Sequence, residues 1–110
     1  MLSHEFGIMD DEAPEKGKRY DIYSPEKYGC ISVADEHIRP LLERFRMIKC
    51  FWHTPDREML GLDYYGVTLI PPESLPLVID MTCKVPELSE LTELLIKARG
   101  QERFVIHFGI

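Results

Sequence analysis

The stretch Asp63–Ile70 (Asp-Tyr-Tyr-Gly-Val-Thr-Leu-Ile) runs directly into Pro71-Pro72. Aromatic and β-branched residues suit a pleated, half-buried surface. Proline has no N–H to give a ladder, so the pair ends the strand. Alternation places Tyr65, Val67 and Leu69 on one face and Tyr64, Gly66, Thr68 and Ile70 on the other. The first set wants a core. The second is mixed, and what covers it decides what the domain can bind.

The rest of the chain supplies partners for this strand. Ser3–Met9 reads as a short strand carrying Phe6 and Ile8. Asp10–Lys27 holds Pro14, Gly17, Pro25 and many charges, and reads as a long polar loop that Tyr20, Ile22 and Tyr23 could tie to the body. Tyr28–Val33 alternates like a strand. Ile38, Leu41, Leu42, Phe45 and Ile48 recur at helical spacing, capped by Ser32 or Asp35. Pro40 either starts that helix or kinks it one turn in. Lys49–Thr54 is an aromatic strand, Pro55–Gly61 a turn, and Leu75–Thr82 a short helix behind Ser74. Pro86–Arg99 is the strongest helix, with Leu88, Leu91, Leu95 and Ala98 on one stripe and Gly100 as its stop. Gln101–Ile110 closes as a strand. Phe-Gly-Ile occurs at 6–8 and again at 108–110; beyond coincidence, this would fit two terminal strands lying side by side.

The order β-β-α-β-β-α-α-β predicts one α+β domain over residues 1–110. It should be a mainly antiparallel sheet of four to five strands with three helices packed on one face. The core side is then expected to take Phe6, Ile8, Ile31, Val33, Cys50, Trp52, Tyr65, Val67, Leu69, Phe104, Ile106 and Phe108. The opposite side takes Glu5, Tyr28, Cys30, Ser32, Lys49, Phe51, His53, Tyr64, Thr68, Arg103 and His107. That second face is a solvated surface, a protein-contact surface or a small-molecule site. A one-residue bulge at Gly7, Gly66 or Gly109 would flip part of the sorting.

Composition narrows the function classes. A formal charge of −6 argues against binding nucleic acid, which requires Lys and Arg to neutralise phosphates, and against a polybasic membrane-surface module. It permits a basic protein partner. Three cysteines without Cys-x-x-Cys do not form a disulfide framework. Met1–Glu12 is acidic and unlike a signal peptide, and no apolar run reaches membrane-spanning length. The chain is expected to be reduced and cytoplasmic.

Catalytic motifs are missing. The histidines at 4, 37, 53 and 107 lack ligand spacing, so no metal is expected, although His4, His53 and His107 on adjacent strands could in principle converge. A Cys30–His107 pair could share a face but has no local signature. Glycine-rich phosphate loops and Gly-x-Ser-x-Gly are absent, and no cofactor is expected. Asp10-Asp11-Glu12 lacks the spaced oxygens of a calcium loop and reads as a solvated charge run. Trp52–Arg57 is the densest polar-aromatic segment, with His53 and Asp56 as acid–base candidates and a turn as the plainer reading.

Motifs of the form Trp-His-Thr (52–54), Gly-Val-Thr-Leu-Ile-Pro-Pro (66–72) and Ile-His-Phe-Gly-Ile (106–110) give the whole chain a resemblance to a family of small single-domain bacterial proteins of unknown function. The resemblance implies no activity and carries over no catalytic residue. In size, acidity and fold class the chain is also similar to immunity proteins that neutralise toxins, a likeness of architecture without shared motifs. The functional expectation is protein contact, with a protein partner or a second copy, through Trp52, His53, Tyr64, Thr68, Arg103 and His107. The rival is a ligand-binding domain or small hydrolase-type enzyme using His53, Tyr64 and His107 in one pocket. A third reading pairs two copies through Arg103–Ile110 as an edge strand.

Overall fold

The computed structural model describes residues 2–10 and 13–110. Strand β1 (Ser3–Ile8) leads through a long loop and a 3-10 turn at Pro25–Tyr28 to β2 (Ile31–Ala34). Helical turns α1 (Asp35–Ile38) and α2 (Leu42–Phe45) flank a 3-10 turn at Arg39–Leu41. Pro40 therefore kinks the segment, because its ring cannot continue the hydrogen-bond ladder. Strands β3 (Lys49–Trp52), β4 (Glu58–Leu60) and β5 (Val67–Ile70) follow. Helices α3 (Leu75–Thr82) and α4 (Ser89–Gly100) precede β6 (Val105–Phe108).

The expected α+β class holds, with six strands in the order β2-β1-β6-β5-β3-β4, every pairing antiparallel. The extra strand is β4, which pairs Lys49 with Leu60 where a turn was expected. The organising strand is shorter than its sequence pattern suggests: Asp63–Gly66 forms a turn, closed by the Gly66 N–H on the Asp63 carbonyl at 3.2 Å. The terminal strands do lie side by side, Phe6 opposite His107 and Ile8 opposite Val105. Because β6 is central, it offers no free edge for pairing two copies.

The sheet is buried on both faces. On the helix side, Phe6, Ile8, Val33, Cys50, Ile70 and Val105 pack with Ile38, Phe45, Leu75, Val78, Leu91 and Leu95. On the opposite side, Val67, Leu69, Ile106 and Phe108 pack with Met9 and Tyr20, with Tyr28, Cys30, Phe51 and Phe104 at the margin. The expected face sorting therefore holds for β1, β2 and β3 and is reversed for β5 and β6. Phase in β5 and β6 is set by register: Thr68 opposes His107, and Ile70 opposes Val105, on the helix side. Tyr65, expected in the core, is 78% exposed because it lies in the turn.

The polar loop covers the second face. Its buried anchor is Tyr20, whose N–H donates to the His53 carbonyl at 2.6 Å and whose hydroxyl accepts from the Glu15 N–H at 3.1 Å. The Gly17 N–H donates to the Asp56 carboxylate at 2.6 Å. Asp56 is thus a turn residue and a tether, not a partner for His53. Of the other two expected ties, Ile22 remains exposed, whereas Tyr23, though exposed, reaches Glu5 on β1 through its hydroxyl and Phe108 on β6 through its ring edge. Asp11 and Glu12 of the acidic run lie outside the described residues. No helix among the described residues is long and apolar enough to cross a membrane.

Helix α4 ends one step later than expected. The Arg103 N–H returns to the Ala98 carbonyl and the Glu102 N–H to that of Arg99, a Schellman closure with Glu102 at φ 53°. A non-glycine residue there carries a steric cost that glycine avoids. Glu102→Gly is expected to stabilise the domain by about 1 kcal/mol. Gly109→Ala should do the reverse, by about 1–3 kcal/mol, since its added methyl would be driven into the Tyr64 carbonyl. Urea unfolding midpoints of the two variants measure both signs.

Candidate functional site

Two groups of polar side chains are built around the sheet. The first crosses its helix side. His4 on β1, His107 on β6 and Thr68 on β5 stand on three adjacent strands and are all 0% exposed. His4 Nδ1 and His107 Nε2 are 2.9 Å apart, and His107 Nδ1 and Thr68 Oγ1 are 3.2 Å apart. His4 Nε2 reaches Asp35 Oδ1 at 2.8 Å, and the Tyr64 hydroxyl donates to the same oxygen at 2.7 Å. Arg39 Nε closes the row on Asp35 Oδ2 at 2.9 Å.

Hydrogen-bond accounting assigns directions to this row. Burial alone would raise the Asp35 pKa, but hydrogen bonds from His4 and Tyr64 and the nearby charges of His4 and Arg39 outweigh it, so the net shift is downward. Asp35 is ionised and only accepts. The same bond pushes the Tyr64 phenol up. Burial holds the His107 imidazole well below its usual range, and the charge of His4 acts in the same direction. His107 is therefore neutral, with one donor and one acceptor nitrogen. Thr68 Oγ1 accepts from the Asp63 N–H at 2.8 Å. With His4 neutral, the bonds run from Thr68 O–H to His107 Nδ1, from His107 Nε2–H to His4 Nδ1 and from His4 Nε2–H to Asp35; with His4 protonated, its Nδ1–H donates to His107 Nε2 and the His107 Nδ1–H to Thr68 Oγ1. Among the described residues, every buried side-chain nitrogen or oxygen has a partner.

The second group lies on the loop side. His53 follows β3 with φ 65°, a left-handed conformation uncommon outside glycine. Its ring bridges Asp21 Oδ1 at 2.6 Å and Asp63 Oδ2 at 2.9 Å. Its N–H donates to the Val67 carbonyl at 3.0 Å. His53 thereby clamps the loop to β5, and these contacts hold its backbone in that conformation. Arg19 hydrogen-bonds Asp21 and, with His53, lowers its pKa against the opposing effect of burial. Gly66 is required beside this clamp. A methyl on it would meet the Asp63 carboxylate and would lie 2.6 Å from His53 Nε2. The space that Gly66 leaves without a side chain is filled by the His53–Asp63 pair.

The six expected site residues do not form one surface. Thr68 and His107 are in the buried row, with Tyr64 at its margin. His53 belongs to the loop-side clamp. Trp52 is half-buried, donates to the Gly61 carbonyl at 2.9 Å and carries Arg57 over its ring. Arg103 belongs to the α4 closure. His53, Tyr64 and His107 therefore do not converge on one pocket, which the enzymatic reading required. Cys30 and His107 lie on opposite faces, so the pair does not form, and burial pushes the Cys30 thiol up to about 12. His4 and His107 meet, but His53 stands apart. Among the described residues no group of three or more His, Cys, Asp or Glu side chains is placed to hold a metal ion.

An open cleft of about 200 Å³ adjoins the clamp, lined by Asp21, Tyr23, His53, Tyr65, Gly66, Val67, Phe108 and Gly109. Tyr23 and Tyr65 are 62% and 78% exposed. Tyr23 meets Phe108 edge-on at 5.4 Å and donates its hydroxyl to Glu5, which pushes the phenol up to about 12. Sequence reasoning missed Asp21, Tyr23 and Tyr65 as cleft residues. Their one signal was the density of tyrosine beside Asp21 and in Tyr64-Tyr65.

The buried row makes stability depend on pH. The folded His107 pKa lies below the unfolded value of about 6.5, so between the two the unfolded chain binds more protons and stability rises with pH. Its contribution is complete above about pH 6.5 and is lost below it, at up to ~1.4 kcal/mol per pH unit. Asp35, also depressed, contributes above about pH 4 and loses that contribution as pH falls through its lower folded value. His107→Gln should flatten the limb just below pH 6.5 and leave the Asp35 limb, as read by denaturant unfolding across pH. Gly66→Ala should separate His53 from Asp63 and speed hydrogen exchange at the Tyr20 amide at least about tenfold, a local loosening of roughly 1.4 kcal/mol.

Compared with family models, with curated proteins and with solved structures, the chain finds no match, and its geometry alone carries the functional reading.

Proposed function

We propose that this chain works by protein contact, neutralising or scaffolding a basic partner, and that the cleft between Tyr23 and Tyr65 receives the partner's anchoring Lys or Arg. The observation that carries the reading is two exposed tyrosines standing over a cleft whose wall is the Asp21 carboxylate. Exposed aromatic rings beside an anion attract a cation through their faces and exclude water around it. In its lining, Val67 and Phe108 stand on central strands β5 and β6, with Gly66 and Gly109 beside their ends. The formal charge of −6 steers a basic surface toward it. Neutralisation is the role of immunity proteins, which the chain resembles in size, acidity and fold class, and that analogy only ranks the possibilities.

A photo-crosslinking amino acid at Tyr65, used in the native host, tests the reading. The expected product is an adduct with one protein, joined next to a Lys or Arg. Asp21→Lys should weaken binding of that protein at least about tenfold, or roughly 1.4 kcal/mol. Absence of any adduct, or an adduct indifferent to the charge at 21, would overturn the proposal.

A further inference from the structure

The six-stranded sheet ends in two edge strands, β2 and β4. Strand β4 presents its backbone to solvent in a definite phase. The Trp52 N–H donates to the Arg57 carbonyl at 3.1 Å and the Gly61 N–H to the Ile48 carbonyl at 2.9 Å. Antiparallel bonding alternates along a pair. Met59 therefore bonds inward to Cys50, its partner in the register, and Glu58 and Leu60 turn their N–H and C=O groups away from β3. Both residues lie at the surface, Leu60 at 60% exposure. Such an outward row of donors and acceptors is a template for one more strand.

A hollow of about 220 Å³ adjoins the Leu60–Gly61 end of this edge. Its walls are Leu42, Leu62 and the aromatic residues Trp52 and Tyr64, and Arg46 borders it. Trp52 is fixed by its bond to the Gly61 carbonyl and Tyr64 by its bond to Asp35, so the aromatic walls are preset. Trp52 opposes Thr68, and Leu62 packs with the helix-side core, which places the hollow on the helix side of the sheet. A strand added to β4 sends every second side chain to that side. Backbone pairing combined with a pocket for alternate side chains is how sheet edges bind extended peptides.

Charge selects the peptide. Arg46 at the hollow and Arg57, whose guanidinium stands 5.7 Å from the Trp52 ring centroid, favour carboxylates on that side. The net charge of −6 opposes an acidic ligand. Charges beyond about 8 Å are largely screened at physiological ionic strength, however, so the two adjacent guanidiniums decide. Glu58 lies opposite Phe51 on the loop side, with the Lys49 ammonium 3.9 Å away, and so is turned to the other side of the sheet.

We propose that the β4 edge binds an extended segment of a partner protein, with an apolar residue seated in the hollow and Asp or Glu two positions to either side. Strand β4 is only three residues long, so the hollow and the guanidiniums supply affinity that its few backbone groups cannot. Trp52 does not line the cleft between Tyr23 and Tyr65, and the two readings stand or fall separately.

Trp52 is the only tryptophan in the chain, so its fluorescence reads the hollow directly. The probe is the peptide acetyl-Asp-Thr-Phe-Thr-Asp-amide, titrated into the full chain. The expected result is a saturable change in Trp52 emission. Replacing both Asp by Lys should weaken binding at least about tenfold. N-methylating both threonine amides, which removes the bonds to Glu58 and Leu60, should do the same, whereas N-methylating the phenylalanine amide, which points away from β4, should be tolerated. Leu60→Pro deletes an outward N–H without touching the β3–β4 ladder, so the urea midpoint should hold while binding falls at least about tenfold. Arg46→Glu should narrow the preference for the Asp peptide over the Lys peptide at least about threefold. No saturable change with the Asp peptide, equal binding by the Lys or threonine-methylated peptides, or affinity indifferent to both variants would overturn the proposal. Sedimentation showing a dimer that Leu60→Pro converts to a monomer would assign the edge to a second copy and would overturn it as well.

Discussion

The contact between His4 and His107 holds the two ends of the described fold together. The strands that carry them are separated by almost the whole chain, and each imidazole is fully buried. A buried polar group without a partner costs a few kcal/mol, so the strands cannot slip by one residue without stranding both rings. That penalty specifies register between β1 and β6, and through Thr68 between β6 and β5. Buried Asp35 carries the row out to Arg39, whose charge lies at the surface and compensates it. Hydrophobic burial supplies most of the driving force on this face, and the polar row selects which of several apolar registers survives.

Burial on the opposite face depends on the loop. Val67, Leu69, Ile106 and Phe108 would form an exposed apolar patch if residues 13–30 were removed. One ring, Tyr20, does most of the covering. One strained residue, His53, fixes the covering segment to the sheet through its carbonyl oxygen and both ring nitrogens. The segment is polar outward because it meets water, and its alternating side chains divide the surface into two clefts. The cleft walls therefore follow from how the loop is clamped. The titratable groups beside the clamp are paired with one another, His53 with Asp21 and Asp63, and Asp21 also with Arg19.

Sequence periodicity made the fold class legible, since the helical stripes of α3 and α4 and the paired prolines after β5 are strong local signals. It failed at face assignment for β5 and β6. Thr68 and His107 carry polar atoms, and alternation sends such residues to the solvent side. Their neighbours on the same face, Ile70 and Val105, are apolar, and four-residue runs such as Val-Thr-Leu-Ile and Val-Ile-His-Phe are what strands buried on both faces look like. The candidate site was legible only in part. His53, Thr68 and His107 were identified as unusual, but Asp21 and Asp63 were not, because carboxylates 32 and 10 residues away are joined to a histidine only by the path of the intervening loops.

By itself the sequence determined the α+β class and the order of most elements, and its charge argued against several function classes. Hydrophobic spacing and proline chemistry act within a few residues, and net charge needs no coordinates. Tertiary structure alone decided that both sheet faces are covered, that the two buried histidines bond each other, and that His53 joins Asp21 of the loop to Asp63. Those outcomes rest on strand order and loop path, which arise from contacts between residues far apart in the chain.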